Sequence, residues 1–125
     1  MRKSRQREAV RKALTGAGGP LTPQELLAAA EQLVPGIGIA TIYRHLNALE
    51  ERGEVVRLDG FGKSGRFEAA HTDHHHHFHC MDCDRVFDIE RCPGEKRIEG
   101  LAPQGFVVES HEVTLYGTCV ACAKN

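Results

Sequence analysis

The stretch A-H-T-D-H-H-H-H-F-H-C-M-D-C, Ala70 to Cys83, decides how the rest of the chain reads. It holds six of the eight histidines and two of the five cysteines. Thiolates are soft ligands and imidazoles borderline ones, so this density points to a transition-metal site, zinc for the cysteines. If His74–Phe78 is extended, His75 and His77 face one side and His74 and His76 the other. Alternate residues of one strand could then serve two adjacent metal sites. Glu68 before the run and Asp88 after it would add oxygen ligands. Such a nitrogen and oxygen set suits Fe(II), Mn(II), Zn(II) or Ni(II) and separates them poorly by affinity. The plain alternative is a solvent-exposed polar strand.

Downstream, Cys80 and Cys83 pair by spacing with Cys119 and Cys122: C-x-x-C, 35 intervening residues, C-x-x-C. A two-residue gap lets both thiolates of a pair reach one ion from a tight turn. Four thiolates close the tetrahedron, leave no position for substrate water, and so make a structural site. Such a site can contribute on the order of 10 kcal/mol to folding. Two disulfides or unrelated surface thiols are the alternative. Cys92 is left over and precedes Pro93, and it reads as a bystander thiol. Arg85–Ile89, Gly105–Glu109 and Glu112–Tyr116 alternate like strands, and Gly94–Leu101 reads as a short helix. This half is α+β with a small sheet.

Upstream, three helices and a hairpin are expected. The first runs from Arg5 to Thr15, with Ala9, Val10, Ala13 and Leu14 on one side. The second opens on Thr22, Pro23 and Glu25, a capping box, with Leu21 and Leu26 as a hydrophobic staple and Leu26, Ala30 and Leu33 as the core stripe. The third spans Ile39 to Arg52, with Ile42, Leu46 and Leu49 inward and Gly53 just past its end. Its other side shows Thr41, Tyr43, Arg44, His45, Asn47 and Ala48, groups that can meet phosphates and base edges. Glu54–Asp59 and Arg66–Ala69 are the two strands of a hairpin tipped by glycines. Three helices and a hairpin make a winged helix-turn-helix, with Lys63 and Arg66 on the wing within reach of phosphates. The fold class is α+β, divided into a winged-helix unit, 1–70, and a metal-binding unit, 71–125.

Charge supports the division. Residues 1–66 carry eleven Lys/Arg against seven Asp/Glu, a balance of +4; residues 67–125 carry five against ten, a balance of −5. The basic half can meet a polyanion and the acidic half would be repelled by one. Arg5 and Arg7 belong to the cluster of cations in Met1–Leu14. No apolar run is long enough for a membrane span. The basic Met1-Arg-Lys-Ser start is not followed by an apolar segment, which predicts no signal peptide and a reducing cytosol, where paired cysteines bind metal. Each half alone is small, so a metal staple or a homodimer is expected.

The sequence resembles the ferric uptake regulator family of bacterial metal-responsive repressors. The resemblance is carried by Arg5-Gln-Arg7, Ile39-Ala-Thr-Ile-Tyr-Arg44, Arg66-Phe-Glu68, the run His74–Cys83, and Leu115-Tyr-Gly-Thr-Cys119. It implies a winged helix, an α/β dimerisation domain and a homodimer on palindromic double-stranded DNA. Arg5, Arg7, Thr41, Tyr43, Arg44 and Lys63 would face that DNA. Cys80, Cys83, Cys119 and Cys122 would hold structural zinc. Glu68, His75, His77 and Asp88 would hold the regulatory ion, Fe(II), Mn(II) or Zn(II), and His74, His76, Glu95 and His111 a further ion. The chain departs from the family at Gly19-Pro-Leu-Thr22, which lacks the usual ligand; His71 could substitute. The carboxylate Asp88 leaves an iron-dependent peroxide sensor open. Two rivals come from other classes. A zinc or iron hydrolase would need an open coordination position and a base, and no H-E-x-x-H occurs. A metal-binding module would lack duplex affinity.

Overall fold

Thr22 starts the second helix as its sequence dictates. Its hydroxyl accepts from the Glu25 N–H at 3.1 Å, and the Glu25 carboxylate accepts from the Thr22 N–H at 3.0 Å. Two otherwise unpaired amides of the first turn are thereby satisfied. The computed structural model describes residues 2–62, 65–70 and 73–124. Three helices come first, α1 (Arg2–Thr15), α2 (Pro23–Glu31) and α3 (Ile39–Glu51), then the hairpin β1 (Val55–Leu58) and β2 (Arg66–Ala69). There follow β3 (His76–Cys80), β4 (Val86–Ile89), α4 (Glu95–Glu99), β5 (Thr114–Gly117) and α5 (Val120–Ala123). The chain is thus a helical first half with a hairpin, followed by a small sheet.

The core lies between the three helices and the hairpin. Val10 and Leu14 of α1, Leu26 and Ala30 of α2, Ile42, Leu46 and Leu49 of α3, Val55 and Phe67 form one cluster. Leu26, Ile42 and Leu46 have no exposed surface, and each such burial contributes about 2 kcal/mol. Gly53 follows α3 with φ +75°, the left-handed conformation that ends a helix at little cost to glycine. Leu21 exchanges two 2.8 Å backbone hydrogen bonds with Phe67, which ties the hairpin to the start of α2.

Four expectations need correction. Leu33 is 48% exposed; α2 ends at Glu31, the helical spacing lapses there, and Ile37 fills the core instead. His45 is buried, because it lies three residues after Ile42 on the inner side of α3. Arg66 is buried rather than presented to phosphates. Gly105–Glu109 forms no strand; Phe106 and Val107 stand 71% and 87% exposed, and alternation without a neighbouring edge cannot make a ladder.

The second sheet has the order β4-β3-β5. β3 is central, antiparallel to β4 and parallel to β5. Asp84, in the turn between β3 and β4, has φ +65°, a left-handed conformation that aspartate tolerates. The two halves meet closely. The Asp88 N–H donates to the Gly18 carbonyl at 2.7 Å. A Cβ at Gly19 would lie 2.1 Å from the Val86 carbonyl oxygen, so only glycine fits between α1–α2 and β4. Arg66 reaches across as well. Its guanidinium donates to the Pro20 carbonyl at 3.0 Å, to Glu25 Oε1 at 2.6 Å, and to the Asp84 carbonyl.

Candidate metal centres and nucleic-acid face

Three groups of ligand-bearing side chains stand out among the described residues, and within each group the ligand atoms all lie within 4.8 Å of one another. All three draw on β3 or the residues just before it.

The first is Cys80, Cys83, Cys119 and Cys122. The turn after β3 presents Cys80 and Cys83, and the start of α5 presents Cys119 and Cys122. Parallel pairing brings these ends together, with Cys80 opposite Gly117. Cys83 Sγ and Cys119 Sγ are 3.9 Å apart, close to the roughly 3.8 Å edge of a tetrahedron built on 2.3 Å Zn–S bonds. The N–H groups of Cys83 and Cys119 pull the Cys80 thiol down to about 6. The hydrogen bond to Cys119 pushes the Cys122 thiol up to about 12 in the metal-free chain. Four free cysteines crowded this closely, one with a depressed pKa, fit a zinc ion.

The second group is Glu68, His75, His77 and Asp88. Glu68 comes from β2, the wing. His77 and Asp88 sit directly opposite on β3 and β4, which puts them on one face. His75 Nε2 is 3.1 Å from Glu68 Oε1 and 3.8 Å from Asp88 Oδ1. His77 Nε2 is 3.6 Å from Glu68 Oε2 and 3.5 Å from Asp88 Oδ1, and it has no hydrogen bond. Phe61 of the wing packs edge-on against His77 and His79 at 5.4 and 5.6 Å. Burial works against charge on both partners, yet electrostatics prevail. Glu68 is held below the usual carboxylate range by the neighbouring His77 and His75 imidazoles, against the effect of burial. Against burial too, His75 is raised by the Asp73 carbonyl and by Glu68. Two carboxylates and two imidazoles around an orphaned ring nitrogen fit a divalent ion of the iron, manganese or zinc kind.

The third group is His74, His76, Cys92 and His111. It differs from the expected set at two positions. Cys92, read as a bystander, is a member. Glu95, which the family resemblance implied as a ligand, opens α4 as an exposed first-turn acid and is not among the grouped residues. The kinked Cys92-Pro93-Gly94 passage, with Gly94 at φ +103°, leaves Cys92 beside the histidines. His76 is lowered by burial and then by His74 and His111, which favours its neutral form. The odd cysteine count was the one trace of this in the sequence.

The fold places the remaining candidates as follows. On α3, Tyr43 and Arg44 are exposed and Thr41 half-buried, with the Arg44 guanidinium donating to Thr41 Oγ1 at 3.3 Å. Arg5 is exposed and Arg7 half-buried on α1. Burial, then Arg44, Arg7 and Lys3, lower the pKa of His45, so cations of α1 and α3 lie near it. Lys63 and His71 lie outside the described residues.

A sequence profile described as the ferric uptake regulator family matches residues 1–116. The chain is 36% identical over 123 residues to the ferric uptake regulation protein of Campylobacter jejuni, covering 95% of this chain and 78% of that one. It is 32% identical over 121 residues to the peroxide operon regulator of Bacillus subtilis, covering 95% and 82%. The ferric uptake regulator of Helicobacter pylori, a structure described as having three functional metal-binding sites, superposes with a TM-score of 0.68 at 26% identity, over 96% of this chain and 81% of that one. A zinc-bound manganese uptake regulator superposes with a TM-score of 0.78 at 25% identity, over 92% and 88%. On the profile match and on this similarity along almost its whole length, the chain belongs to the ferric uptake regulator family of metal-responsive transcription regulators.

Proposed function

We propose that the chain is a cytoplasmic, non-enzymatic repressor that binds a palindromic DNA operator as a homodimer when a divalent ion fills the Glu68, His75, His77 and Asp88 group. One observation carries this reading: the group draws one ligand from the wing and three from the sheet half. A bound ion supplies positive charge shared by both halves. In its absence Glu68 and Asp88 bring two acids into a confined space, and His75, whose pKa is raised, offsets part of that charge. A bound ion removes the mutual repulsion of the two acids and adds a link between wing and sheet. Holding them together fixes where α3 points. In a dimer this sets the spacing of two recognition helices against the DNA helical repeat. Arg5, Arg7, Thr41, Tyr43 and Arg44, together with Lys63, contact the duplex. The exposed apolar side chains Phe106, Val107, Tyr116 and Val120 of the second half are the dimerisation surface. No described helix is long and apolar enough to cross a membrane.

The test is duplex affinity. A binding sequence is selected from a random duplex pool with zinc-replete protein and Mn(II). Anisotropy titrations then compare protein with and without Mn(II), and a His77→Ala variant. Tighter binding with Mn(II), lost in the variant, is expected; equal affinity throughout sinks the proposal. A second reading, sensing of peroxide through bound iron, is favoured by the Asp88 carboxylate and by the relative in Bacillus subtilis. It predicts that hydrogen peroxide abolishes operator binding by the Fe(II)-loaded form and leaves the Mn(II)-loaded form active.

A further inference from the structure

We propose that Cys92 is a thiolate metal ligand that completes a three-histidine, one-cysteine site with His74, His76 and His111, selective for zinc-class ions. This chain thereby departs from the nitrogen and oxygen set its family resemblance implied. Three separate segments converge here: the entry to β3, the passage after β4, and the residues just before β5. His111 Nε2 lies 3.0 Å from His74 Nε2 and 3.2 Å from Cys92 Sγ. A tetrahedral zinc with ordinary bond lengths would set these edges at about 3.3 and 3.6 Å, so small side-chain shifts accommodate an ion. One His111 nitrogen shared between both neighbours makes at best a divided hydrogen bond, whereas a shared cation satisfies all the ligand atoms. Cys92 is a free cysteine on the surface. An open cleft of about 640 Å³, lined by Asp73, His74, Ser110 and His111, gives an entry path.

The ligand chemistry sets the preference. This group offers three nitrogens and one sulfur, with no carboxylate among its members. Soft and borderline ligands favour Zn(II), Co(II) or Cu(I) over Mn(II) and Mg(II). One protomer thus presents three graded ligand sets: all sulfur, nitrogen with sulfur, and nitrogen with oxygen. Zinc can load the first two and leave the third to the regulatory ion.

The test reads the sulfur directly and requires no DNA. Protein carrying zinc in its four-cysteine site is titrated anaerobically with Co(II), with retained zinc counted by native mass spectrometry. A thiolate-to-cobalt charge-transfer band is expected with the first added equivalents. It is absent in Cys92→Ser and unchanged in Glu68→Gln, whose altered site contains no sulfur. In parallel, Zn(II) should slow iodoacetamide labelling of Cys92 by about tenfold or more, because a coordinated thiolate is a poor nucleophile. Zinc-retaining protein that shows no band, or a band that persists in Cys92→Ser, overturns the proposal. Failure of metal-dependent operator binding would leave this result untouched.

Discussion

Arg66→Met tests whether the wing is anchored by one guanidinium. Arg66 is 1% exposed, and its partner Glu25 has a side chain 30% exposed. Removing one member of a buried ion pair costs about 3 to 5 kcal/mol. Water can reach Glu25 and take over part of its solvation, which favours the lower end for the pair itself. The Pro20 and Asp84 carbonyls would each lose a buried donor, about 1 kcal/mol apiece. Methionine keeps the volume of the apolar stem. The expected loss is therefore about 5 kcal/mol, which for a chain of this length lowers the melting midpoint by about 20 °C. Thermal and urea unfolding of zinc-loaded protein, followed by circular dichroism at one fixed concentration, measures it. Glu25→Gln separates the roles of Glu25, since glutamine still serves a capping box. It should cost about 1 kcal/mol alone and nearly nothing on top of Arg66→Met. If Arg66→Met stays within about 1 kcal/mol of the parent, or if the two changes simply add, the guanidinium is not the anchor.

Gly19→Ala should drive α1–α2 away from β4, because its methyl would meet backbone at 2.1 and 2.9 Å with no flexible side chain to yield; the readout is a lowered melting midpoint together with weaker metal-dependent duplex binding, and a parent-like variant would show that the halves do not pack as described. The second prediction concerns pH. His75 is raised from 6.5, so its contribution to the metal-free fold is full below that value and fades as pH rises through the higher folded one. Glu68 is lowered from 4.5, so its contribution is present above 4.5 and is lost as pH falls through the lower folded one. A divalent ion must displace the His75 proton. Mn(II) affinity of zinc-replete protein, followed by electron paramagnetic resonance, should therefore rise from roughly pH 6 to pH 8. A flat profile contradicts the role of His75.

Local rules were legible in the sequence and long-range ones less so. The capping box at Thr22–Glu25, the C-terminal Gly53 and the alternation of His74–His77 each depend on a few neighbouring residues, and each was readable. The two cysteine pairs announced their partnership by spacing. Leu33 misled because its helical spacing continued past the end of the helix. His45 looked like an outward polar group, yet its register placed it inward. Arg66 read as a wing cation because nothing local reveals that Glu25, Pro20 and Asp84, between 18 and 46 residues away, converge on it. Cys92 and Glu95 are three residues apart, and only the bend at Gly94 decides which of them faces the histidines. The Gly105–Glu109 segment alternates like a strand yet joins neither sheet among the described residues.

The register of β3 has a consequence for how the gene can vary. Phe78 and Cys80 are locked by ladders on both sides and by the knuckle that follows. Four identical letters precede them, which at first glance look interchangeable. They are not, since each occupies a numbered slot that opens to one side or the other. Losing a single codon from the run would leave three imidazoles in the slots nearest Phe78 and draw Asp73 into the place of His74. An outwardly harmless length polymorphism would thus rewrite one ligand set and spare the other two.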